Sequence, residues 1–427
     1  MRKRTFKAPP RKTQRRWRVP PALTHGDDAF EGLSVLEEVP GEKGLVLWQS
    51  LRDALLWGQT RPEARSALFA DGAETARVAA ILASGIPPEA EEPLRTIAHM
   101  VGAPDTAREE NVSLACRQVS LWADERGTMA TSLAFAQAAA VVTPGDPATS
   151  FAVAKLARRR AENARAETWY RRTIALARQA GDWPTYALAF LGLGTLYVQR
   201  GNYPAARRFH TRALRAAGRN SLHDVSGSAL HELFSIAVET GETANAYELA
   251  RSALEAYGPA HPSLPRLAKD VAAFWTTQGS FSRSLPVLQQ LLPLFRRPSD
   301  RLLVLADVGR AAGGLGRRDL FQQAWDESWE IMHAGGVDDA AARSLLDLAH
   351  GAASLGVWER AERAAQSALE IATRRNEGKV RLTAEAVLDS ARHHRIAEQR
   401  TVAPEDATAD SLADEFVRSL SLCESVG

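Results

Sequence analysis

The sequence predicts an all-α chain of about seven consecutive helix pairs with an N-terminal helical extension. Three observations carry that expectation. Alanine is abundant, and β-branched runs bounded by turn residues are scarce. Between Tyr186 and Asn220 two amphipathic runs follow one another, with small residues where a pair of helices would touch. Turn residues then recur along most of the chain, at Gly127, Ala161, Gly201, Gly241, Gly279, Gly316 and Gly356, in steps of 34, 40, 40, 38, 37 and 40 residues. A glycine at such a place takes the left-handed conformation that closes one helix before the next begins. Ala161 departs from that chemistry.

The 186–220 stretch reads YALAFLGLGTLYVQRGNYPAARRFHTRALRAAGRN. Phe190, Leu193, Tyr197 and Val198 recur at helical spacing before Gly201-Asn202. Ala205, Ala206, Phe209, Ala213 and Leu214 share one face of a second run that is expected to close at Gly218. Leu193-Gly194 with Tyr197 sets a gap beside a knob, and Ala206 and Ala213 permit close approach. This resembles the tetratricopeptide repeat, with Phe190 in place of its Trp, His210 in place of its Phe and Gly218 in place of its Pro. The resemblance covers about residues 108–375 and is strongest from 186 to 260. It implies a right-handed α-solenoid of tetratricopeptide-like (TPR-like) helix pairs whose work is binding. Units of about 40 residues also resemble, more loosely, the sensor region of MalT-type bacterial regulators.

In chain order, residues 1–24 form a basic arm broken by Pro9, Pro10, Pro20 and Pro21, and are expected to be disordered. Nine Lys or Arg and no acid fall in residues 1–18, so taking nine from the net +2 leaves −7 on the other 409 residues. Such an arm is a solvated tail or a nucleic-acid contact, the tail being preferred because only Phe6 and Trp17 offer stacking surfaces. Residues 25–107 make the N-terminal helical extension. Its first part, 25–43, is acidic and turn-rich; a helix starts near Leu45, and shorter helices are expected at about 62–70, 74–84 and 89–101. It reads as a capping or docking subdomain, since no basic recognition helix appears in it. The repeat array with its capping helix spans 108–399, that last helix covering 379–398. A linker with Pro404 and an amphipathic helix at about 408–421 complete the chain (400–427). Its stripe of Leu412, Phe416 and Leu420 is expected to seal the final repeat, the alternative being a helix that occupies a groove.

Chemistry is sparse. His393-His394 point to different sides of a helix, and Ser235 stands where His231-Glu232 would need a second zinc-binding His. Gly192-Leu193-Gly194 lies inside a helix with no strand before it. No lysine follows a phosphate-loop spacing and no serine sits in a nucleophile elbow. Two cysteines, Cys116 and Cys423, are too few for a disulfide framework. No run reaches the ~18 apolar residues of a membrane span, and the basic N-terminus lacks the apolar stretch of a secretory signal. The expectation is a soluble, cytoplasmic, non-enzymatic protein without metal or cofactor.

By the same resemblance, first-helix residues that avoid the packing positions line a concave groove. That phase selects Arg117, Lys155, Arg158, Arg159, Gln199, His231, Arg266, Lys269, Arg310 and His350, against the acids Asp124, Glu125 and Glu239. The groove therefore leans positive, and a protein or peptide partner, acidic in character, is expected there. Thr195 and Ser235 replace the asparagine of the family's carboxylate clamp, so that particular activity is not carried over. The second class of function is a signal-sensing or transcription-linked regulator, taking a small ligand in the groove or nucleic acid on residues 1–18.

Overall fold

A computed structural model describes residues 32–395 and 407–424, so the expected arm at 1–24 and linker at 400–406 lie outside the described residues. Among these residues the chain has twenty α-helices, two short 3-10 segments and no strand. They group into two compact units, one ending at Val225 and the other beginning at Ser226. The fold is an all-α, TPR-like solenoid of helix pairs, each pair closed by one of the seven predicted turns.

The first unit opens with α1 (Leu33–Glu38), α2 (Glu42–Gln59), a 3-10 segment (Pro62–Ala67), α3 (Ala73–Ala83) and α4 (Pro88–Gly102). Three pairs follow: α5 (Glu109–Glu125) with α6 (Met129–Val142), α7 (Pro147–Arg159) with α8 (Asn163–Ala180), and α9 (Trp183–Gln199) with α10 (Tyr203–Arg219). Trp57, Leu47, Leu94, Val119 and Phe135 share one core, so the extension is continuous with the first pair. The turn-rich reading of 25–43 needs correction, because α1 forms within it. A helix that short has little stability of its own. Tertiary contacts supply it: Val35 is fully buried, and the Glu38 carboxylate accepts from the Ala130 and Thr131 amides at 2.7 and 2.8 Å. Those amides are free donors at the start of α6, where a negative charge is favoured. The segment after Pro62 is 3-10 where an α-helix was expected.

The second unit holds α11 (His223–Glu239), most of which lies beyond Ser226, with α12 (Thr243–Tyr257), then α13 (Leu264–Thr277) with α14 (Phe281–Leu291), α15 (Pro298–Gly314) with α16 (Arg318–Ala334), and α17 (Asp338–Ser354) with α18 (Trp358–Arg374). Next come α19 (Gly378–Arg392) and, after the undescribed stretch, α20 (Ala407–Glu424).

All seven turn residues are left-handed, Ala161 included at φ 60°. In each turn the next amide reaches back five residues to a carbonyl of the first helix, as Asn202 N–H does to Tyr197 O at 2.9 Å. That bond satisfies an acceptor the helix end would otherwise leave open. Gly218, where the second run was expected to close, lies inside α10; Ser221, at φ 54°, takes the left-handed place instead. Likewise α19 ends at Arg392, short of 398, with His394 left-handed behind it.

Between helices the small residues act as sockets. A Cβ on Gly192 would overlap the Tyr170 ring of α8, and one on Gly194 the His210 ring of α10. The two glycines of Gly-Leu-Gly thus seat α9 against a helix on each side. In the second unit Gly309 and Gly313 of α15 meet Gly351 of α17 backbone to backbone. Bulk moves to α16, where Phe321, Trp325, Trp329 and His333 form one stripe, with Arg360 and Arg363 of α18 over Trp325 and Trp329. In this pair, then, the first helices approach closely and the second helix carries the volume, unlike the small-residue second helix at 205–213.

Helix α20 does not seal the final repeat. It folds back onto α12, α13 and α14, burying Leu412, Phe416 and Leu420, with Phe416 edge-on to Trp275 at 6.3 Å. Asp410 pairs with Arg283 at 2.5 Å and Glu415 with Arg251 at 3.8 Å. The stripe found in the sequence is core; its address is set by the apolar trough beside the short, proline-interrupted α14.

Candidate functional site

The residues assigned to a groove lie on first helices, but their neighbours divide them into two sets. In the first unit α5 and α7 flank an open cleft of about 330 Å³, lined by Leu114, Arg117, Gln118, Leu121, Asp124, Lys155 and Leu156 among others. Leu114 and Leu121 stand seven residues apart on α5 and remain 52% and 60% exposed. Arg117 and Lys155 are exposed and have no ion pair or side-chain hydrogen bond among the described residues. Asp124, the cleft's acid, is held by Arg159 through contacts of 2.6 and 2.7 Å. The floor is self-satisfied, since Ser120 Oγ donates to Ser132 O at 2.8 Å. Arg158 turns from the cleft toward the Tyr170 hydroxyl, whose pKa burial raises and Arg158 pulls back. Gln199 is exposed at the end of α9.

In the second unit three of the predicted cations, His231, Lys269 and Arg310, meet acids. His231 and Lys269 share Asp270 at 2.9 and 3.3 Å, and Arg310 pairs with Asp347 at 2.7 Å. Burial opposes ionisation of Asp270, yet the His231 hydrogen bond and the Lys269 charge hold its pKa below the usual range. Burial and the nearby Asp347 carboxylate push the Asp307 carboxyl up to about 8, against the opposing charges of Arg343, Arg310 and Lys269. His350 is carried down to about 4, first by burial and then by Arg310. Arg266 stays exposed, its charge felt by the Tyr257 hydroxyl.

The expectation of one positive groove needs correction in this unit. Its acids were missed although they carry a readable signal: Glu232, Asp270, Asp307 and Asp347 each stand nine residues before a turn glycine. Like charges on one wall cost stability unless opposite charges stand beside them. Here the chain supplies those opposite charges itself. Also missed were Leu114 and Leu121, whose i, i+7 spacing on α5 puts both on the cleft side. No group of three or more His, Cys, Asp or Glu that could hold a metal occurs among the described residues. Burial raises the Cys116 thiol to about 12, keeping it protonated. No described helix is long and apolar enough to cross a membrane.

Comparison with known proteins adds a family and two distant structures. The model of the tetratricopeptide repeat matches residues 146–218. No curated protein sequence matches the chain. Among solved structures, BtubC (BKLC) from P. vanneervenii is 14% identical with a TM-score of 0.35, over 62% of this chain and 92% of that one. The P58(IPK) TPR domain is 15% identical with a TM-score of 0.22, over 82% of this chain and 97% of that one. The looser likeness to MalT-type regulators is not among these findings.

Proposed function

We propose that this chain, whose residues 146–218 match the tetratricopeptide-repeat model, is a non-enzymatic scaffold that binds a protein or peptide partner on the first-helix wall of its helix pairs. One observation carries the proposal. On the first unit's wall, the cleft between α5 and α7 leaves two leucines exposed beside two cations that no carboxylate of the described chain neutralises. An apolar centre with a charged rim is the make-up of an interaction site. The second unit's wall supports a supporting role, since Lys269 and Arg310 are already matched there.

The test is affinity capture from the native cell with the full chain as bait. Replacing Arg117 and Lys155 with glutamate is expected to lose a partner that the unaltered chain holds. Reversing Arg208 and Arg215, exposed on the second helix α10, is expected to keep it. Equal capture by both variants would remove the first-helix wall from the proposal. A second reading, a nucleic-acid-linked regulator, rests on the nine basic residues of 1–18.

A further inference from the structure

We infer that the α5–α7 cleft selects a partner segment that sets a carboxylate beside an aliphatic side chain, the carboxylate lying against Arg117 and Lys155 and the aliphatic group against Leu114, Leu121 and Leu156. The inference rests on the scaffold reading above and gives its partner a chemistry. At about 330 Å³ the cleft is at the small end for a ligand site, so it takes side chains of a longer segment rather than a whole molecule. Its floor makes no demand for polar partners, because Ser120 and Ser132 satisfy one another. Its walls are leucine, so apolar area is the main source of affinity.

Charge decides which apolar segment is accepted. Asp124 is neutralised by Arg159, leaving Arg117 and Lys155 as the uncompensated charges of the cleft. A basic segment would bring like charges together, which costs affinity and excludes wrong partners. Nucleic acid would satisfy the cations, but no aromatic ring lines the cleft to stack a base. An acidic, aliphatic peptide meets both requirements.

The experiment measures fluorescence anisotropy of labelled peptides of equal length with the full chain at low salt. Four probes are used: leucine with glutamate, leucine with lysine, alanine with glutamate, and a single-stranded oligonucleotide. The leucine–glutamate peptide is expected to bind at least about tenfold more tightly than the leucine–lysine and alanine–glutamate peptides, a difference of about 1.4 kcal/mol. With Arg117→Glu and Lys155→Glu the preference is expected to invert toward leucine–lysine. A misfolded protein would not produce that gain, and all four altered side chains are exposed. Leu114→Ala with Leu121→Ala is expected to weaken the leucine–glutamate peptide about tenfold and to leave the melting curve in place. Indifference of that peptide to the charge reversal, or equal binding of leucine–lysine, would overturn the inference. So would an oligonucleotide that binds more tightly than the peptide and loses that binding on reversal of Arg117 and Lys155. Capture of a native partner that survives these substitutions would leave the scaffold standing and take the cleft out of it.

Discussion

His210 occupies a position where the repeat ordinarily has phenylalanine, and its environment explains how a polar ring fits. The ring is fully buried against the missing side chain of Gly194, and burial drops its pKa to about 4, so it is neutral in the fold. Gly194→Ala would drive a methyl into that ring, and Ala206→Leu would overfill the same fully buried interface; each is expected to cost about 1–3 kcal/mol in a thermal melt. An unchanged melt for both would mean that α9 and α10 do not meet as described. Asp307 makes a prediction of the opposite sign. Its folded pKa of about 8 lies above its ordinary 3.8, so between those values the folded chain keeps a proton that the unfolded chain has released. Its contribution to stability therefore falls as pH rises from about 4 to about 8 and then levels off. Asp307→Asn removes that loss. The variant is expected to melt higher than the unaltered chain at pH 8, by on the order of several degrees, and to show a smaller difference near pH 4. Melting curves whose difference is the same at both pH values would rule out the raised carboxyl.

At the scale of an element, α20 shows how a helix readable in the sequence is placed by something remote from it. Its stripe buries Leu412, Ala413, Phe416 and Leu420 in the core of α12–α14. A fully buried leucine or phenylalanine contributes about 1.5–3 kcal/mol, so the helix is a major part of that core. Removing residues 407–427 is expected to lower the melting temperature and to change the fluorescence of Trp275, which Phe416 covers edge-on. Retention of both would show that α20 lies elsewhere in solution. The α15–α17 contact carries the same lesson in reverse. Gly309, Gly313 and Gly351 give no hydrophobic signal, yet they bring two helix backbones together and leave Phe321, Trp325 and Trp329 to fill the space behind.

Across the whole molecule, the uneven charge matters more than the net value. The basic residues of 1–18 stand against a net negative remainder, and the first-helix cations fall into a matched set and an unmatched one. If residues 1–18 act on polyanions, the full chain will bind nucleic acid without sequence preference. That binding will weaken by orders of magnitude between about 50 and 200 mM salt, as phosphate neutralisation by several cations requires. Deleting 1–18 is then expected to abolish it. Undiminished binding by the shortened chain would assign it to the array, and absence of binding by both would leave residues 1–18 a solvating tail. If a protein partner binds the proposed α5–α7 cleft, its capture is expected to be unaffected by that deletion, because that proposal puts the contact at Arg117 and Lys155.

Most of the architecture was legible because it is local. A left-handed residue ends a helix through bonds within six residues of chain, so the seven turns at Gly127 through Gly356 could be read one by one. Small residues announced close helix contact for the same reason: helical spacing alone puts Ala206 and Ala213 on one face of α10, and Gly194 stands beside Leu193 and Tyr197 on α9. The site was legible only in part. Spacing named the first-helix cations, and it could have named the acids at 232, 270, 307 and 347 as well. It could not say which cations would be met, because Arg159 reaches Asp124 across 35 residues and Arg310 reaches Asp347 across 37. Nor could it place α20, whose partners lie more than a hundred residues upstream. The sequence by itself determined the helices of the array from α5 to α18, their pairing and their repeat, whereas α1 took its stability from tertiary contacts. The tertiary structure decided which charges remain unmatched and where the last helix rests, since charge pairing and apolar burial depend on distances that only the packed chain creates.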